Sequence, residues 1–306
     1  MGHTVSVIVP VHNGRDLLAA CLSSIPDGIE TIVVDDASTD GAPELVEREF
    51  PRVRVLRNEQ NRGFGATANR GLRAAGGGVR VVLNSDARLR PRALHALVGA
   101  FDDEAVGIAG PRLVFPDGSH QTSAAAFPRP GSIVTGSFLA NELIRRLGIR
   151  RFPLELGLAR KDHAFDRDVD WVLGTCIAIH ERCLAATGGF DEDYFMYEEE
   201  TDLCWRAKQA GFRVRYVADA VVEHVGGGSS GDPVQQARRF LQSERRFMAR
   251  AYGPGALPRW RAARVVGGLV KLAVIALPAL ISRRLRVRLR WQGAVVWFAL
   301  TDRQWR

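Results

Sequence analysis

The chain has 306 residues, 46% of them hydrophobic, which is enough to bury a core in one large domain or a domain with an appendage and excludes a disordered chain. Its four cysteines, Cys21, Cys176, Cys183 and Cys204, lack the C-x-x-C spacing of zinc and redox motifs and read as reduced core thiols of a cytosolic protein. The net charge of +8 is uneven: residues 250–306 hold twelve Lys/Arg against one acid, or +11, which leaves the first 249 residues at −3. Such a tail suits an anionic partner, either nucleic acid or a membrane surface.

No basic-then-apolar leader precedes Val5, so export is not expected. Short β-branched runs then alternate with helix-like stretches, the pattern of an α/β fold with a mostly parallel sheet. Strands are predicted at 5–11, 29–36, 53–56 and 79–86, and helices at 15–25, 42–50 and 65–75, the last stopped by Gly76-Gly77-Gly78. A helix near 91–101 leads to a strand and a Pro-Asp-Gly turn, after which residues 120–165 read as long loops. Order returns at 169–182, followed by an acidic helix at 199–210, stopped by Gly211, and a strand at 212–217.

In an open α/β sheet, ligands bind at the carboxyl ends of the strands. Asp35 and Asp36 end the second strand there, and Asp36 is the stronger candidate for a nucleotide contact; Ser38 and Asp40 are expected to cap the next helix. "NRGFGATANRG" contains G-x-G-x-x-A, but it follows the third strand at a distance, so a dinucleotide fingerprint is rejected in favour of a loop that brings Asn61, Gly63 and Asn69 to a ribose or diphosphate. In "LNSDA", Asp86 ends a strand and could bridge a divalent cation to a diphosphate, with His224 of "VVEHVGGG" as a second ligand. "FDEDYFMYEEETDLCWR" concentrates acids at a helix start, where they would in any case offset the helix dipole. At 100° per residue Glu200 falls on the apolar face with Leu203, Cys204, Ala207 and Ala210, Glu199 lies at its edge, and Asp202 points away toward a surface ion pair with Arg206. Glu200 is therefore the favoured proton acceptor among the catalytic candidates Glu200, Glu199 and Asp202, because desolvation raises a carboxyl's proton affinity.

In order, "VSVIVPVHN", "VVDDASTDG", "NRGFGATANRG", "LNSDA", "DWVLGTCIAI", "GGFDEDYFMYEEETDLCWRAKQAGF" and "EH" resemble the family 2 inverting glycosyltransferases of GT-A fold, among them bacterial rhamnosyltransferase-like members. The resemblance covers roughly residues 4–230. It implies a donor-nucleotide pocket lined by Pro10, His12, Asn13, Asp35, Asp36, Asn61, Gly63, Asn69, Asn84 and Ser85, and Mg²⁺ or Mn²⁺ held by Asp86 and His224. It further implies Glu200 as the base and Trp171 and Gly174 near the acceptor or the sugar. The family's D-x-D reads Asn84-Ser85-Asp86 here, and glutamate replaces aspartate as the base. The implied activity is transfer of a sugar, such as rhamnose, from a TDP- or UDP-sugar to a lipid-linked or polysaccharide acceptor in cell-surface glycan synthesis. The rival classes are a non-catalytic nucleotide-sugar or nucleic-acid binding protein and a nucleotidyltransferase.

The expected domains are a GT-A catalytic domain over 1–232, with a nucleotide half to about 115 and an acceptor half beyond it, and a helical region over 233–306. In that region the 17 residues "VVGGLVKLAVIALPALI" are at the lower limit for spanning a bilayer, and five arginines and then Trp291 and Trp297 follow. A peripheral, interface-embedded appendage on the cytoplasmic face, meeting anionic lipid and not nucleic acid, is expected; the alternative is a helical hairpin with solvated arginines.

Overall fold

The computed structural model describes residues 3–135, 162–226, 232–279 and 283–301. These fall into two compact units, Met1–Ala125 with Gly157–Gly228, and Ala126–Leu156 with Ser229–Arg306.

In the first unit, the apolar run Val5–Val11 forms β1, buried at every position after Val5. It lies between β2 (Glu30–Asp35) and β4 (Val79–Leu83), parallel to both, and β3 (Arg54–Arg57) extends the sheet beyond β2. Parallel neighbours require crossovers, here α1 (Arg15–Leu22), α2 (Ala42–Glu49) and α3 (Phe64–Ala74). Past β4 the sheet becomes mixed. β11 (Cys176–His180) runs antiparallel between β4 and β6 (Val106–Val114), β12 (Arg213–His224) is parallel to β6, and the short edge strand β5 (Ala87–Leu89) is antiparallel to β12. The order is thus β3-β2-β1-β4-β11-β6-β12-β5.

One sheet face buries Val7, Val9, Val33, Leu83 and Ala178 against Leu18, Val46 and Leu97 of α1, α2 and α4 (Ala93–Gly99). The other carries α3, which approaches so closely that a Cβ on Gly71 would lie 2.3 Å from Ile8. The acidic helix is α7 (Glu199–Gln209), preceded by α6 (Glu181–Thr187). All four cysteines are free and buried, and burial pushes the Cys176 thiol up to about 12, consistent with inert core thiols.

Two expectations shift. The strand expected at 212–217 continues to His224, because the alternation resumes after an irregularity between Val217 and Val221. Part of 120–165 is ordered: β7 (His120–Gln121) pairs with β6, and β8 (Ala124–Ala125) pairs with β10 (Trp171–Val172); just beyond it, β9 (Arg167–Val169) pairs with β12. Residues 136–161 lie outside the described residues.

The second unit is helical: α5 (Pro130–Thr135), α8 (Pro233–Tyr252), α9 (Leu257–Ala279) and α10 (Arg283–Thr301). Of the expected acceptor half, residues 126–156 group with this unit, where Phe127 packs 6.0 Å from Phe247 and α5 contacts α9, and 157–228 stay in the first. Glu244, 1% exposed, ties the helices together by accepting from Trp260 Nε1 at 2.7 Å and from the Arg264 guanidinium. At Gly268 a Cβ would meet Val296 at 2.4 Å, so this glycine allows the hairpin of α9 and α10 to close. Among the described residues no helix is long and apolar enough to cross a membrane.

Candidate active site

The loops that follow β1 and β2 are bolted together. His12 donates its Nδ1–H to the Asp36 carbonyl at 2.8 Å, which leaves Nε2 as the acceptor facing the Asn13 amide at 3.3 Å. Asn13, left-handed at φ 53°, accepts from Thr39 N–H at 2.8 Å and donates its own N–H to Ser38 Oγ at 2.9 Å. Asp35 accepts from Ser38 N–H at 3.2 Å, and Pro10 sits inside β1 opposite Val34. Ser85 faces Gly14 so closely that a Cβ there would lie 2.9 Å from Ser85 Oγ.

Asp36 is 4% exposed and accepts from Asn58 Nδ2 at 2.7 Å, Arg62 N–H at 2.9 Å and Gly63 N–H at 3.0 Å. Three of about four lone-pair sites on its carboxylate are thus committed to shaping the 58–63 loop. Gly63, at φ +84°, has no room for a side chain, since a Cβ would meet the Phe195 carbonyl oxygen at 2.2 Å. Asn61 accepts from Gly63 N–H at 3.1 Å.

Two expectations need correction here. Asn69 is 3% exposed and its side chain is spent inside the fold: its amide donates to Phe190 O at 2.8 Å and Glu192 Oε1 at 3.1 Å and accepts from Phe190 N–H at 2.9 Å, pinning α3 to the segment before the acidic helix. The residue capping α2 is Gly41, and Asp40 reaches Ala42 N–H at 3.1 Å from one position earlier, while Ser38 is taken by Asn13.

At the ends of β4 and β12, Asp86 Oδ2 lies 3.3 Å from His224 Nε2, the two side chains 15% and 12% exposed. Gln121, in a segment read from sequence as a loop, accepts the Nδ1–H of His224 at 3.0 Å and so orients Nε2 toward the carboxylate. An imidazole nitrogen and a carboxylate oxygen this close are two donors of the kind that would hold a divalent cation. No third His, Cys, Asp or Glu joins them among the described residues; Asn84, two positions before Asp86, has a buried Oδ1 with no hydrogen-bond partner.

The acidic helix begins after Glu198, left-handed at φ 64°. Glu200 Oε1 accepts from Gly174 N–H at 3.2 Å, in the loop between β10 and β11 that also follows Trp171, while its buried Oε2 has no partner. Glu199, 6% exposed, has its Cβ against α3, 3.8 Å from where a side chain on Gly65 would begin. Burial raises the Glu199 carboxyl well above the usual range, with Glu200 adding to it; burial also raises Glu200, against backbone N–H groups of the helix start and of Gly174. A carboxyl raised in the fold stabilises fully below the ordinary carboxylate range and loses that contribution as pH rises through its folded value. Glu199→Gln should therefore gain thermal midpoint over the wild type as pH increases from 5 to 9 and gain nothing at low pH; a pH-independent difference would contradict the buried-acid assignment.

Asp202 is corrected as well. It does not point to the surface: it is 0% exposed and accepts from Arg206 Nε at 2.7 Å and Tyr194 Oη at 3.4 Å. The same guanidinium clamps Thr187 O at 2.5 Å and Gly189 O at 2.7 Å, which fixes α6 against α7. Ala210, expected on the buried face, is the exposed C-cap. Removing one member of a buried pair leaves an uncompensated charge, so Asp202→Ala should cost about 3–5 kcal/mol in denaturant unfolding. A loss below about 1 kcal/mol with abolished turnover would return Asp202 to the catalytic set.

Residues 6–170 match the Glycosyl transferase family 2 model. The chain is 30% identical over 234 residues, 72% of its length and 75% of the relative's, to an N-acetylglucosaminyl-diphospho-decaprenol L-rhamnosyltransferase of Mycobacterium tuberculosis. It is 27% identical over 298 residues, 94% of its own length and 58% of the relative's, to a pre-mycofactocin glycosyltransferase of the same organism. In structure it is similar to a mannosyltransferase from Pyrobaculum calidifontis solved with GDP-Man and Mn²⁺, with a TM-score of 0.58, 21% identity, and coverage of 99% of this chain and 88% of that one. Membership displaces the non-catalytic and nucleotidyltransferase alternatives. The chain belongs to glycosyl transferase family 2 and is a GT-A glycosyltransferase that takes its sugar from a nucleotide-sugar donor.

Proposed function

We propose that the enzyme inverts configuration in one displacement, with Glu200 as the base, and moves a sugar of the rhamnose type from a TDP- or UDP-sugar to a hydroxyl of a lipid-linked or polysaccharide acceptor. The observation that carries this is Glu200 itself: one carboxylate oxygen is fixed by Gly174 N–H and the other is buried and unpartnered, the arrangement of a group awaiting a donor hydroxyl. Burial raises its proton affinity toward that of a working base. Asp86 and His224 would hold Mg²⁺ or Mn²⁺, which when bound offsets the charge of the departing diphosphate. The loops organised by His12, Asn13, Asp35, Asp36 and Gly63 receive the nucleoside, with Asn61, Asn84 and Ser85 at their rim, and Trp171 and Gly174 flank the acceptor.

Both the lipid-linked acceptor and the rhamnosyl group are supported by the mycobacterial relative, whose name specifies a diphospho-decaprenol acceptor and an L-rhamnosyl product. A panel of nucleotide sugars offered with a polyprenyl-linked acceptor tests the reading. Release of nucleoside diphosphate in step with product is expected, whereas release of pyrophosphate, or no turnover with any donor, would overturn it.

The helical hairpin rests on the membrane at its cytoplasmic face as a peripheral contact. Val266, Leu269 and Val270 of α9 and Trp297 and Leu300 of α10 are exposed, as are Arg286, Arg288 and Arg290, a mixture of apolar and basic groups suited to an anionic interface. Each arginine near anionic lipid adds on the order of 1 kcal/mol. Reversing Arg286, Arg288 and Arg290 to Glu in the full chain should abolish co-sedimentation with vesicles containing phosphatidylglycerol; equal binding to neutral vesicles by both proteins would contradict the idea.

A further inference from the structure

The second unit holds a groove of about 590 Å³, within the range of about 300–1,000 Å³ common to ligand sites. One face of α9 forms a wall, where Ala262, Val265 and Val266 recur at helical spacing, and Leu300 of α10 lines it as well. Trp260, also in the lining, is 3% exposed and has its Nε1 spent on Glu244 at 2.7 Å. On α9 the apolar face continues through Leu269 and Val270, 51% and 43% exposed, and on α10 Trp297, 63% exposed, comes three residues before Leu300.

The polar part of the lining is basic. Arg261 Nε and Nη2 donate to the Ala299 and Leu300 carbonyls at 2.5 and 2.6 Å, which fixes the guanidinium at the end of α10 and leaves Nη1 for a further acceptor. Among the described residues no carboxylate pairs with Arg261. Arg245 of α8 is the other charged residue of the groove, and no acid lines it. Glu244, the buried acid beside Arg245 in sequence, is committed to Trp260 and to the Arg264 guanidinium. A soluble anion would gain nothing from the apolar walls, and an apolar peptide would leave the charge of Arg261 unanswered. An amphiphile with one anionic group joined to a hydrocarbon chain matches both.

We propose that this groove takes an acyl chain of an anionic phospholipid, with the lipid phosphate on Arg261. This rests on the membrane reading of the hairpin given above and names the molecule recognised there: one lipid in a fitted site, distinct from the summed attraction of Arg286, Arg288 and Arg290. The test is calorimetric titration of dioctanoyl-phosphatidylglycerol, below its micelle concentration, into the full chain. Wild type should bind it saturably and should bind dioctanoyl-phosphatidylcholine about tenfold or more weakly, the scale of a lost hydrogen bond to a charged group. Ala262 is exposed, so Ala262→Trp fills the groove without entering the core and should weaken binding about tenfold or more. Arg261→Gln should remove the preference for phosphatidylglycerol; because it also releases two carbonyls of α10, Arg261→Lys is the control that keeps the charge and should keep much of the preference. Reversing Arg286, Arg288 and Arg290 to Glu should leave the affinity for the short-chain lipid unchanged. No saturable binding by the wild type, equal wild-type affinity for the two lipids, or binding that survives Ala262→Trp would overturn the proposal. Saturable, Arg261-dependent binding by a wild type that does not sediment with phosphatidylglycerol vesicles would keep the lipid site and remove the membrane reading.

Discussion

Glu200→Gln should lower kcat by about 10²–10⁴ while the protein folds and binds donor as the wild type does, because the amide keeps the shape and the contact with Gly174 but cannot take a proton. Glu198→Gln, altering a partly exposed residue at the turn before the helix, should change kcat less than about threefold, roughly the scale of a surface electrostatic change. Glu199→Gln separates two roles for the buried pair. Its Cβ packs against α3 and burial raises its carboxyl, so its loss should shift the stability–pH profile and affect turnover less than Glu200→Gln does. Steady-state kinetics paired with donor binding by calorimetry measures all three. Equal loss in Glu200→Gln and Glu198→Gln would reject the assignment of the base.

Asp86→Ala and His224→Ala should each weaken donor binding by about 10–100-fold in Mn²⁺, the scale seen when a metal site loses a ligand or its orienting partner, and should change little in chelator. Gln121→Ala should reproduce part of the loss seen with His224→Ala, since it acts only by fixing the imidazole tautomer. With one carboxylate in Asn84-Ser85-Asp86, the imidazole is the second protein donor at this site among the described residues, and removing either should therefore weigh heavily. Metal-dependent affinity that survives in both variants would refute a cation here.

The sheet was legible in the sequence because buried parallel strands are short, β-branched and bounded by turns, and β1, β2 and β4 fall within a few residues of the expected runs. Helical phase singled out Glu200, whose carboxylate the structure sets against Gly174 N–H, but it left Glu199 at the edge of the buried face, and the fold buries Glu199 more completely than Glu200. Phase failed for Asp202 because the partner that buries it, Arg206, simultaneously holds two carbonyls of another element, a demand with no local signature. Asn69 was misread for a similar reason: it sits in a glycine-rich stretch suited to a ligand, yet its partners are more than a hundred residues away. Gln121 and Asn58 escaped notice because each gains its role only from strand register or loop closure.

The most direct test of single-displacement inversion at Glu200 is the anomeric configuration of the first product, read by nuclear magnetic resonance during turnover before any equilibration. Attack from the face opposite the diphosphate predicts a product of the configuration opposite to the donor, formed by the wild type and lost with Glu200→Gln. A product that retains the donor's configuration would contradict the account.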